Sequence, residues 1–131
     1  GKLVVDTKQE SEESAFFEEM RNRLGAEKAA DMRKFVQYYI DNESQIDQSD
    51  QTKYAAVILE KIGSKKSILL DYFNRLYAYM GGKSTPKKYQ TVCAAARKYK
   101  RKDSDEYRTK YDSIKEEIGR LLSEDSKIGN G

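Results

Sequence analysis

The sequence predicts an all-α fold, a single domain built as a bundle of five or six amphipathic helices. Apolar residues recur at three- and four-residue steps through most of the chain, the period of a helix packed along one side. Sustained period-two runs are missing, and no Asn-Gly or Asp-Gly pair sits between two such runs to suggest a hairpin. The 131 residues fit one domain and suffice to bury a core without metals or disulfides.

Residues 1–12 open on Leu3-Val4-Val5 and turn polar; they are expected to be a flexible acidic N-terminal arm, or at most a small edge strand. Ser11 reads as the cap of a first helix, with Glu12 and Glu13 in its first turn, where carboxylates suit the helix dipole. Phe16, Phe17, Met20 and Leu24 form its apolar stripe, and Gly25 ends it. A second helix over 26–42 carries Ala29, Met32, Val36, Tyr39 and Ile40 at helical steps, with Phe35 beside them. The polar stretch 41–50 reads as a loop. A third helix starts near Ser49 or Asp50 and packs through Tyr54, Ala55, Val57, Ile58 and Ile62. Gly63 either separates it from a fourth or lies within one long kinked helix, since an interior glycine costs only about 1 kcal/mol.

The fourth helix, 65–80, presents Leu69, Tyr72, Phe73, Leu76 and Met80 and stops at Gly81-Gly82. Thr85-Pro86 predicts a cap with proline in the first turn of a fifth helix over 86–100. That helix is expected to pack through Tyr89, Val92, Cys93, Ala96 and Tyr99. Its opposite face would carry Lys87, Arg97, Lys98, Arg101 and Lys102, with Lys88 at the margin. Asp103 and Glu106 have the spacing of a capping box for the last helix. There Tyr107, Tyr111, Ile114, Ile118 and Leu121 repeat at 4-3-4-3 spacing, a narrow seam that could pair with another helix. The bundle is therefore expected over 13–123, with a disordered tail at 124–131.

Charge is unevenly spread. Residues 61–102 hold twelve Lys or Arg and one carboxylate, Asp71, whereas 1–60 and 103–131 are net acidic. The overall charge of +3 hides this cationic middle third. Segregation of this kind points to an anionic partner. Two lysine-bearing turns stand out within the block: Gly63-Ser64-Lys65-Lys66-Ser67, and Gly81-Gly82-Lys83-Ser84-Thr85-Pro86-Lys87-Lys88. Amide groups, hydroxyls and ammonium groups at a helix start make a seat for an anion such as phosphate, although exposed, solvated lysines read the same way. The expected binding residues are Lys65, Lys66, Lys83, Lys87 and Lys88 near these turns, and Arg97, Lys98, Lys100, Arg101 and Lys102 as a second patch.

Several chemistries are poorly supported. A nucleotide-binding loop would need glycine five positions before Gly82, where Tyr77 stands, and a preceding strand. The stretch 54–76 partly resembles a helix-turn-helix, but any two amphipathic helices joined at a glycine would match as well. With no His and one Cys, the usual zinc sets and the commonest general base are missing, so no enzyme, metal or cofactor is expected. Carboxylate pairs such as Glu12-Glu13 and Glu116-Glu117 read as solvated helix faces, and Cys93 as a small core residue. Of the tyrosines in the basic block, Tyr72 and Tyr89 read as core; Tyr79 and Tyr99 are the ones expected to be exposed for stacking. The expected function is a non-enzymatic binding module for nucleic acid through 61–102. The alternative is an interaction module for an acidic protein surface, or for a second copy paired through its helices. No run is long and apolar enough to span a membrane. One cysteine and no visible signal peptide point to an intracellular setting, cytoplasmic or nuclear, although a leader removed before Gly1 would leave no trace.

Overall fold

The computed structural model describes residues 2–63, 65–102 and 104–130, with side chains described between 11 and 123 apart from 64 and 103. Among the described residues there are six α-helices and no strand: α1 (Lys2–Leu24), α2 (Ala26–Asn42), α3 (Gln48–Ile62), α4 (Lys66–Tyr79), α5 (Tyr89–Arg101) and α6 (Asp105–Asn130). A single 3-10 turn, Glu43–Gln45, links α2 to α3 inside the expected loop. The expected arm and tail fall mainly on side chains outside the described set.

α3 is the axis of the bundle. It meets α2, α4, α5 and α6. It buries every residue from Tyr54 to Leu59, together with Asp50, Lys53 and Ile62. A helix packed nearly all round is an interior helix, which is why a one-sided stripe understates it. Around it the core is aromatic. The Tyr39 ring lies 5.7 Å from Phe73, 5.9 Å from Tyr77 and 6.3 Å from Tyr54. Each such pair contributes about 0.5–1.5 kcal/mol beyond the area it buries. α1 joins through Phe16 and Met20, with Phe16 meeting Tyr72 edge-on at 5.8 Å. The seam of α6 is spent inside the molecule: Tyr111, Ile114 and Ile118 are fully buried, so pairing with another helix through them would require opening the bundle.

Three local expectations are corrected, and the choice left open at Gly63 is decided in favour of two helices. α1 runs through Ser11 rather than starting there; no glycine or proline interrupts the residues before it. At Gly63 the chain breaks instead of kinking: φ is +121°, outside helical space and accessible to glycine, and α4 begins three residues later. α5 starts at Tyr89 rather than Pro86. The reason is Asn74 on α4. Its side chain donates to the Lys87 carbonyl and accepts from the Lys87 N–H, both at 3.0 Å, and this bracket keeps the chain extended there. The α6 cap is Ser104, whose Oγ accepts from the Tyr107 N–H at 3.2 Å; Asp103 lies outside the described residues.

Candidate anion-binding groove

The second lysine turn is built around a tyrosine, not around an open anion seat. Gly82 N–H donates to the Tyr77 carbonyl at 2.8 Å, and a Cβ at Gly82 would sit 2.3 Å from the Tyr77 ring. Two residues on, the Ser84 N–H donates to the Tyr77 hydroxyl at 3.0 Å. That hydroxyl donates to Glu43, and Ser84 Oγ donates to the same carboxylate at 2.9 Å. The anion at this turn is therefore internal. Gly82 lets the backbone pass against a ring, a requirement that resembles a phosphate loop in sequence alone.

Lys87 is drawn into the same assembly. It is half-buried, donates to Gln51 Oε1 at 3.2 Å, and its Nζ lies 5.7 Å from the centre of the Tyr39 ring. Burial lowers its pKa, with Glu43 opposing that shift. Lys83 and Lys88 remain exposed on either side of the bracket.

The first turn is open. Lys65 is exposed and stands just ahead of α4 in left-handed conformation (φ +54°). Lys66, the first residue of α4, lines a groove of about 190 Å³ between α3 and α5. Ala56 and Leu59 of α3 form its floor with Val92, Cys93 and Ala96 of α5; Tyr89, Arg97 and Lys100 complete the wall. Among the described residues no carboxylate lines it. The fold thus brings Lys66 together with Arg97 and Lys100, three expected binding residues from both halves of the basic block.

Other expected cations go elsewhere. Lys98, next to Arg97, points to the opposite flank of α5. There it lines a cleft with Asp47, Asp50, Lys53, Glu106 and Lys110, and its Nζ sits 4.6 Å from the centre of the Tyr107 ring. Asp50 is buried in that cleft and paired with Lys53 at 2.8 Å and Lys110 at 3.7 Å. Arg101 is exposed and has a partner within the protein. Lys102 is exposed in left-handed conformation (φ +60°) and closes α5, its N–H donating to the Tyr99 carbonyl. Of the other cations in the block, Arg75 sits within 3.6 Å of Asp71 and 3.9 Å of Glu19, and Lys61 shares a cleft with Glu60 and Glu116. α4 consequently exposes Ser67, Asp71 and the Asp71-paired Arg75, a poor face for a DNA-reading helix.

Tyrosines hold several acids of the flanking segments, while Asp50 is held by Lys53 and Lys110. Glu117 accepts from Tyr38 and, at 2.8 Å, from Tyr54; Glu19 accepts from Tyr72 at 3.3 Å; Asp112 accepts from Tyr99. Glu43 accepts from Tyr77 as described. A phenol donor is neutral, so these hydrogen bonds consume no cation, although Glu19 also lies 3.9 Å from Arg75. Burial, then Glu117, pushes Tyr38 up to about 12, and the same causes raise Tyr54.

Exposure of the rings also differs from expectation. Tyr99 stacks on Tyr111 at 4.1 Å and Tyr79 lies 5.3 Å from Phe16, so both are half-buried. Tyr89, expected in the core, is the one exposed large hydrophobic side chain among the described residues, at 44%. It begins α5, a late helix start that the local sequence does not signal. Among the described residues no group of three potential metal ligands gathers, and no helix is long and apolar enough to cross a membrane. Comparison with family models, curated proteins and solved structures returned no match.

Proposed function

We propose that this protein is a non-enzymatic nucleic-acid-binding module whose contact surface is the α3–α5 groove and the cations around it. The observation that carries the reading is the convergence of Lys66, Arg97 and Lys100 on a groove lined by no described carboxylate. Phosphate is the anion such a surface meets repeatedly along one partner, and counterion release supplies the driving force. Exposed Lys65 and Lys102 extend the positive field at either side in sequence. Lys83 and Lys88 add diffuse attraction, while Lys87 and Lys98 serve the fold.

The test is a binding isotherm for labelled DNA and RNA across a salt series. The reading expects affinity to fall steeply with salt and to drop in an Arg97→Ala/Lys100→Ala variant. Absence of binding at low salt, or a flat salt response, would discard it. A second reading, docking of an acidic protein, draws on the apolar floor of Ala56, Leu59, Val92 and Ala96. Pull-down of a protein partner that needs Arg97 and Lys100, without any nucleic-acid binding, would favour it.

A further inference from the structure

We infer that the groove takes a single strand rather than a duplex, with one base stacked on Tyr89 and phosphates on Lys66, Arg97 and Lys100. This rests on the nucleic-acid reading above and narrows it. Tyr89, Cys93, Ala96, Arg97 and Lys100 fall along one stripe of α5, with the aromatic ring at its start and the cations at its end. Eight residues separate Tyr89 from Arg97, about 12 Å along the helix axis, a span that a short run of nucleotides covers. Single-strand sites combine a cationic track with aromatic platforms, because every base has a face to stack. Other rings in the described structure are packed in the core or against it. Tyr89 is left open beside the cations.

Two further features select against other occupants. The cationic strip is narrow: Lys98, one residue from Arg97, already belongs to the flank that carries Asp47, Asp50 and Glu106. A duplex lying across α5 would bring its second strand toward those carboxylates, whereas a single strand following the groove avoids them. The cavity, about 190 Å³, has room for a ring but not for the row of large anchors by which an amphipathic helix docks.

The experiment is fluorescence anisotropy with oligo(dT), the matching duplex and an acidic peptide, using the wild type, Tyr89→Ala, Tyr89→Phe and Arg97→Ala/Lys100→Ala. Tyr89 is peripheral, and circular dichroism of each variant checks that the helices remain. We expect oligo(dT) to bind more tightly than duplex. Tyr89→Ala should weaken oligo(dT) roughly tenfold with an unchanged salt slope, while Tyr89→Phe keeps wild-type affinity. If duplex binds as tightly as oligo(dT), or Tyr89→Ala binds oligo(dT) like the wild type, the single-strand inference falls. The nucleic-acid reading survives that result provided Arg97→Ala/Lys100→Ala still weakens binding. If neither oligonucleotide binds, or only the acidic peptide does, both fall.

Discussion

Two turns of this chain read almost alike, glycine followed by serine and paired lysines, yet they do opposite work. At 81–88 Gly82 admits the Tyr77 ring, the serine binds Glu43, and Lys87 is bracketed by Asn74. At the first turn Lys65 is exposed, and Lys66 opens onto the groove with Arg97 and Lys100. The difference lies in what approaches from elsewhere. A carboxylate, a phenol and an amide converge on the second turn, so its polar groups are already satisfied. A cation is available to a partner only when the fold supplies nothing else for it. The same lesson holds between neighbours on α5, where Arg97 and Lys98 face flanks of different charge.

The largest expected effect breaks the second turn. Gly82→Ala forces a Cβ to within 2.3 Å of the Tyr77 ring, against backbone that Ser84 and Asn74 hold in place. It should cost about 3 kcal/mol in denaturant unfolding, as overpacking does. Binding by the folded fraction should be intact. A wild-type midpoint for Gly82→Ala would show the turn to be loose after all.

Next is the phenol–carboxylate network that spares the cations. Glu117→Ala removes the acceptor for half-buried Tyr38 and buried Tyr54 and leaves their hydroxyls unpaired, at about 2 kcal/mol. The network also sets an alkaline limit. Tyr38 titrates near 12 in the folded protein against about 10 unfolded. Above pH 10 the unfolded chain holds fewer protons, so this contribution is complete below about pH 10 and is lost as pH rises toward 12. Stability that stayed level across pH 10–12 would contradict it.

The smallest expected effect separates binding from folding. Lys102 ends α5 in left-handed conformation, which costs a non-glycine residue about 1 kcal/mol. Lys102→Gly should therefore raise the unfolding midpoint while weakening nucleic-acid affinity. A raised midpoint with affinity unchanged or increased would remove Lys102 from the binding surface.

Much of the fold was legible because helical periodicity is written by packing on one side. α2 has the bounds its stripe predicts, and Phe16, Phe73 and Ile118 lie in the core where expected. What failed was decided at long range. Ala56 and Leu59 are buried because α3 is surrounded, which its own sequence does not state. The start of α5 is set by Asn74, twelve residues before Pro86, against a local cap signal. The candidate groove was foreshadowed by a surplus of positive charge, since Lys66, Arg97 and Lys100, which line it, all belong to the basic block. Their separation from Lys87 and Lys98 was not legible, since Gln51, which accepts from Lys87, and Asp50, which lines the cleft with Lys98, both belong to α3. Tyr89 was misplaced for the same reason: its spacing fits the stripe, but it stands at the start of α5.

The most direct measurement compares neighbours. The slope of log affinity for oligo(dT) against log salt would be recorded for wild type, Arg97→Ala and Lys98→Ala. Loss of one phosphate contact should lower the slope by roughly 0.7 for Arg97→Ala, and Lys98→Ala should leave it at the wild-type value. Equal reductions, or a larger one for Lys98→Ala, would mean that charge alone and not its placement in the α3–α5 groove governs binding.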